Sequence, residues 1–148
     1  MGTHAKVTEP TRAALDAYIK LMRASDTVNR ALKAGLADAG LTTTQLGVLE
    51  AVYHLGPMCQ RALSEKLLVS GGNVTTVVDN LVRDGLVRRE RSEVDRRFVS
   101  IHLTESGEKR IAGFFPAHAE RIRETMAVLS PAELAEFQRL CKKLGTGE

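Results

Sequence analysis

A chain of 148 residues has the length of one ordinary domain and can bury a core without disulfide or metal staples. With 43% hydrophobic and 26% charged residues it lacks the charge excess of a disordered chain, and no apolar run approaches the roughly 20 residues that span a bilayer. The formal charge of +3 is too small to identify a nucleic-acid partner, so the placement of charge matters more than its sum.

Met1 to Pro10 is polar and has no signal-peptide core, so a soluble, cytoplasmic protein is expected. Residues 11 to 38 place Leu15, Tyr18, Ile19, Met22, Val28, Leu32 and Leu36 at helical spacing, with Gly40 as the stop. Thr42 and Gln45 fit a capping box, flanked by Leu41 and Leu46 as a hydrophobic staple. The second helix then runs to about His54, where Gly56-Pro57 breaks it.

A short helix fits residues 60 to 67, and Leu68-Val69-Ser70 makes a turn in which Ser70 can cap the next helix. That helix carries Val74, Val77, Val78, Leu81 and Val82 on one stripe and ends at Gly85. Two strand-like segments follow, Leu86 to about Arg91 and Phe98 to Leu103. The second alternates Val99, Ile101 and Leu103 with Phe98, Ser100 and His102, a period of two. Ser92 to Arg97 is polar and reads as an exposed hairpin tip. Thr104 can cap a helix through about Val128. Ser130-Pro131-Ala132-Glu133 is a capping box with proline at the first helical position, with Leu129 and Leu134 as its staple. The final helix is expected to end near Gly145 and to show an apolar side through Phe137, Leu140 and Leu144.

The order is mainly α with a small β-hairpin. The helix, turn and helix of residues 60 to 84 fit a helix-turn-helix, and a hairpin directly after it is a wing. The outer face of the second helix carries Asn73, Thr75, Thr76, Asp79, Asn80 and Arg83, residue types that can bond base edges in a major groove. Residues 83 to 97 hold six arginines against four acids and no lysine. Arginine suits sites where a planar fork meets phosphate or a base.

Chemistry of other kinds finds no footing. Cys59 and Cys141 lie far apart with no metal-type spacing, and the four histidines are scattered, so neither metal nor cofactor is expected. Ser64 and Ser70 lack a histidine and carboxylate at motif spacing, and no phosphate-binding loop occurs, so the chain is not expected to be an enzyme.

These segments carry a resemblance. Leu41 to Gln45, Gln60 to Leu67, Val69 to Thr75, Asp84-Gly85-Leu86-Val87, Asp95-Arg96-Arg97 and Leu103 to Gly107 together resemble the MarR (multiple antibiotic resistance regulator) family, in order and over nearly the whole chain. The resemblance implies a winged-helix transcriptional regulator, a repressor, that binds a pseudo-palindromic operator as a homodimer. It implies a DNA-binding lobe over 41–103 and dimerisation helices over 11–38 and 104–145. Carried onto this sequence, the DNA-binding positions are Arg61, Lys66, Ser70, Gly72, Asn73, Thr75, Thr76, Asn80, Arg83, Arg91, Asp95, Arg96 and Arg97. Asp95 and Arg97 hold the family's positions for a paired wing acid and arginine.

The family often carries arginine where Thr76 and Asn80 stand, so the wing arginines, Arg61 and Lys66 are expected to supply more of the electrostatic affinity here. Family members commonly bind small aromatic or phenolic anions between the dimer helices and the DNA lobe. Tyr18, Met22, Tyr53, His54, Phe114 and His118 are the candidate lining for such an effector. Two other readings are an oxidant sensor using Cys59 or Cys141 and a winged-helix module that binds protein.

Overall fold

The computed structural model describes residues 6–67 and 71–148. The chain order is α1 (Thr11–Ala39), α2 (Thr43–Leu55), β1 (Met58–Cys59), α3 (Gln60–Leu67), α4 (Gly71–Arg83), β2 (Val87–Arg91), β3 (Val99–Leu103), α5 (Glu105–Met126) and α6 (Pro131–Thr146). This is the winged helix-turn-helix that the residue pattern predicts. Two compact units are formed, Gly35–His118 and Met1–Ala34 with Ala119–Glu148, and both divisions fall inside helices, α1 and α5. The predicted 41–103 lobe lies within the first of these. Ser70 and the turn residues Leu68 and Val69 lie outside the described residues.

Within Gly35–His118 the helix ends are set by local chemistry. Gly40 (φ 68°) and Gly85 (φ 73°) adopt the left-handed conformation that only glycine takes without strain. Each lets the next residue fold back. The Leu41 N–H donates to the Leu36 carbonyl at 3.0 Å, and the Leu86 N–H donates to the Leu81 carbonyl at 2.9 Å. Leu41 and Leu86 are thereby turned into the core. At the start of α2 both halves of the capping box are present. The Gln45 N–H donates to Thr42 Oγ1 at 3.1 Å, and the Thr42 N–H donates to Gln45 Oε1 at 2.9 Å.

The core joins α2, α3, α4, the sheet and α5 through Leu49, Leu63, Val74, Val78, Leu81, Ile101 and Ile111. The α4 stripe is four residues wide, not five. Val74, Val77, Val78 and Leu81 are buried, whereas Val82 is 37% exposed. Eight residues at about 100° each leave Val82 some 80° around the helix from Val74, at the rim of the stripe.

The sheet has three strands in the order β1-β3-β2, so the expected two-stranded hairpin is incomplete. β1 pairs antiparallel with β3 (Met58 with Ile101, Cys59 with Ser100) and holds the start of α3 against the wing. β2 pairs with β3 from Val87–Leu103 to Arg91–Val99. Ser100 and His102 are half-buried, and the Ser100 hydroxyl lies 2.7 Å from His102 Nε2 and donates to the Glu90 carbonyl at 3.3 Å.

The wing closes on the start of α5. Thr104 donates its hydroxyl to the Gly85 carbonyl at 2.6 Å and accepts the Gly107 N–H at 3.0 Å. The Thr104 N–H donates to the Leu86 carbonyl at 3.1 Å. Gly107 lies so near that a Cβ there would sit 1.8 Å from the Leu86 carbonyl oxygen.

In the second unit, Ser130 caps α6 by accepting the Glu133 N–H at 3.2 Å, and Pro131 occupies the first turn. Only half the expected box forms, since the Glu133 carboxylate takes the Ser130 hydroxyl at 3.2 Å. The helix passes Gly145 and ends at Thr146, where Gly147 (φ 74°) turns left-handed. No residue of α6 is buried. Phe137, Leu140 and Leu144 stay exposed beside Tyr18 of α1, and two apolar grooves of 680 and 670 Å³ run along these helices.

Two glycines of α5 should respond oppositely to alanine. Gly107→Ala forces a methyl into the Leu86 backbone and should lower stability by about 1–3 kcal/mol or more. Gly113 faces open space, so Gly113→Ala should raise stability by up to about 1 kcal/mol through helix propensity. Urea titrations of both variants check the pair. A neutral Gly107→Ala would refute the close approach.

Candidate nucleic-acid interface

Burying the valine stripe of α4 turns the opposite side outward. Asn73, Thr75, Thr76, Asp79 and Arg83 are exposed there, and Asn80 is half-buried. Gly71 and Gly72 open the helix. Arg61 and Lys66 project from α3, Arg61 facing Glu65 at 3.6 Å with both side chains largely in solvent. Such a pair contributes little to stability, so Arg61 can turn to another anion at small cost.

The wing tip is tightly built. The Ser92 N–H donates to the Phe98 carbonyl at 2.9 Å, and the Phe98 N–H donates to the Asp95 carbonyl at 3.0 Å. Ser92 Oγ accepts the N–H groups of Val94 and Asp95, each at 3.2 Å. Arg91 reaches under the tip and donates to the Arg96 carbonyl. Arg97 lays its fork on Asp95, Nε at 3.0 Å from Oδ1 and Nη2 at 2.7 Å from Oδ2, and its backbone N–H donates to Oδ1 at 3.1 Å. Asp95 is two-thirds covered, while the Arg97 side chain is 86% exposed. The carboxylate therefore works from below and aims the guanidinium outward. The hydrogen bonds from the Arg97 side chain, then from its backbone, hold Asp95 below its ordinary pKa, and Arg97 is raised in return.

The six arginines are not equivalent. Arg83 faces Asp84, Arg88 faces Glu90, Arg89 faces Asp79, Arg97 faces Asp95, and Arg91 is spent on a carbonyl. Among the described residues only the Arg96 side chain makes no hydrogen bond or ion pair within this cluster. Glu90 is lowered in pKa chiefly by its hydrogen bond from Arg88. Neither Gln60 nor Arg89 was among the expected DNA-binding residues. Arg89 Nη2 donates to Asp79 Oδ1 at 2.5 Å and to Gln60 Oε1 at 3.3 Å, and Gln60 Nε2 donates to Thr75 Oγ1 at 2.8 Å.

The candidate effector residues are divided between the units. Tyr18 and Met22 belong to the terminal-helix unit and are exposed, at 60% and 45%. Tyr53, His54, Phe114 and His118 belong to the other. There His54 meets Tyr53 edge-on at 5.0 Å and Phe115 at 4.5 Å, and His118, buried, stacks on Phe114 at 5.3 Å. Phe115 was not among the expected residues. Cys59 is half-buried in β1, and Cys141 is exposed in α6. Among the described residues no His, Cys, Asp and Glu group of three could hold a metal ion, and no helix is long and apolar enough to cross a membrane.

Residues 39–97 match the model of the MarR family. Over 135 residues the chain is 33% identical to the HTH-type transcriptional regulator MhqR of Bacillus subtilis (strain 168), covering 91% of this chain and 93% of that protein. A mutant MarR from E. coli, solved in complex with operator DNA, has a TM-score of 0.81 at 22% identity, over 93% of this chain and 99% of that one. BpsR from Bordetella bronchiseptica, whose DNA binding is regulated by 6-hydroxynicotinic acid, has a TM-score of 0.77 at 26% identity, over 84% and 89% of the two chains.

The wing geometry has a pH signature. A carboxylate whose pKa is depressed in the fold keeps its contribution above its unfolded pKa and loses it as pH falls through the depressed value. The Asp95–Arg97 pair should therefore open with a midpoint below that of a free aspartate. The NMR resonance of Arg97 Nε–H reports the opening. A midpoint at or above the ordinary aspartate value, or a profile unchanged in Asp95→Asn, would contradict the pairing.

Proposed function

The chain belongs to the MarR family of DNA-binding transcriptional regulators, and from that premise we propose that it represses transcription as a homodimer on a pseudo-palindromic operator. The observation that carries this reading is the wing tip. Arg97 is aimed into solvent by a carboxylate that is itself tied to the loop, and Arg96 beside it carries an unanswered charge. A pair of guanidinium groups presented this way suits a narrow A·T-rich minor groove, where the negative potential is strongest. The α4 face supplies the complementary half, with Asn73, Thr75, Thr76 and Asn80 offering uncharged donors and acceptors to base edges in the major groove. Ser70, Gly72, Arg61, Lys66, Arg83 and Arg91 complete the proposed contact surface.

The homodimer rests on the apolar sides of α1 and α6. Tyr18, Phe137, Leu140 and Leu144 are large, exposed and aligned along grooves that a second copy can fill. A two-fold axis then puts one lobe on each half-site, with centres about one helical turn, near 10 base pairs, apart. Release by a small aromatic anion completes the reading. It is supported by the regulation of BpsR by 6-hydroxynicotinic acid. Such a ligand releases DNA only if it binds one conformation more tightly than the other, and operator must then weaken the ligand by the same factor.

Two experiments test this division of labour. Arg96→Ala and Arg97→Ala should weaken binding to specific and unrelated duplexes alike and make the slope of log affinity against log salt shallower by about one unit each. Asn73→Ala and Thr76→Ala change no charge. They should leave the slope alone and cost about 1–3 kcal/mol only at their own base pairs. Unchanged slopes for both arginine variants would overturn the role of the wing. For assembly, Leu140→Glu with Leu144→Glu should convert a dimer to a monomer by sedimentation at micromolar concentration and abolish tight operator binding. A wild-type monomer would remove the homodimer from the proposal.

A further inference from the structure

The sheet register carries a second consequence. Arg89 pairs with Ile101, and Ile101 pairs with Met58, so these three residues form one row across the wing. Gln60 follows two residues after Met58 as the first residue of α3. The two-residue strand β1 is therefore what brings Gln60 to Arg89.

The chemistry of that meeting is constrained. Arginine has donors and no acceptor, so the Gln60 side chain must turn its carbonyl oxygen toward Arg89 Nη2, at 3.3 Å. Its amide nitrogen then points the other way, where the Thr75 hydroxyl oxygen accepts it at 2.8 Å. The same Nη2 donates to Asp79 at 2.5 Å. Thr75 and Asp79 lie four residues apart, one above the other on the outer face of α4. The helix is thus gripped at two points one turn apart, by α3 through Gln60 and by the wing through Arg89.

We propose that Gln60 is a positioning residue for DNA recognition, setting the rotation of α4 against the wing through the Arg89–Gln60–Thr75 relay. The inference rests on the DNA-binding reading above and deepens it. Each bond lies near solvent and adds little stability, and the valine stripe already holds α4 to the core. Two-point restraint does something the stripe cannot. Packed valines tolerate a small roll, whereas base readout needs donors and acceptors held within about 0.5 Å and 10–20°. Arg89, with its charge answered by Asp79, belongs to this brace and not to the phosphate contacts.

The test begins with the wild-type protein selecting its preferred duplex from a random-sequence pool. Affinities for that duplex and for a scrambled one are then compared across salt concentrations. Gln60→Met keeps the side-chain length and removes both hydrogen bonds. It should retain the wild-type unfolding temperature, lower the preference for the selected duplex about tenfold, and leave the salt slope unchanged. Thr75→Val should lower the preference as well, and the double variant should be no worse than Thr75→Val alone, because the relay is already cut. An unchanged preference in Gln60→Met, an equal loss on both duplexes, or additive effects in the double variant would overturn the proposal. Failure of the wild-type protein to prefer any duplex would overturn the DNA-binding reading itself.

Discussion

The junction of Thr104 and Gly107 with the Gly85–Leu86 turn is the contact on which the DNA-facing unit depends. One threonine side chain caps α5 and ties it to the residue that ends α4, and its backbone N–H takes up the next carbonyl. Gly107 is the only residue type that fits, because any side chain would occupy the space of the Leu86 carbonyl. Both ends of the wing are thereby pinned at one place. β2 must leave and β3 must return there, and the register between them follows from the length of the strands.

From that base outward the structure trades apolar for polar restraint. Four aliphatic side chains hold α4 inward, so no polar group of its outer face is needed for the core. From the end of α4 through the wing, five of the six arginines answer a carboxylate or a carbonyl. This explains how a chain of net charge +3 can carry an arginine-dense element. Four of the six face a carboxylate, two of these within the wing and two on or just after α4, and the charge directed outward is concentrated at the tip.

Much of this was legible in the residues, and the exceptions have physical causes. Thr42 with Gln45, and the glycines at 40 and 85, act over five residues or fewer, so local pattern sufficed to place them. Val82 was misassigned because the stripe edge depends on how α4 beds against its neighbours. β1 was missed because two residues carry no period. Asp95 with Arg97 was foreseen through family resemblance and lies two residues apart. Arg89 with Asp79 and Gln60 spans ten and twenty-nine residues and exists only once three strands are in register. Phe115, packed edge-on against His54, went unnamed because a contact across sixty-one residues leaves no local pattern.

The three-stranded sheet also bears on the behaviour of the protein in a crowded solution. An open sheet has two edges whose unpaired backbone groups can template another strand. Here one edge is β1, too short at two residues to offer a continuous ladder. The other is β2, where Arg88, Arg89, Glu90 and Arg91 crowd the outer margin with charge. A neighbouring wing approaching that margin edge to edge would bring its own arginines against these. The side chains that close ion pairs inside the lobe thus also keep the wing from adding strands to itself, and protection against aggregation comes with them.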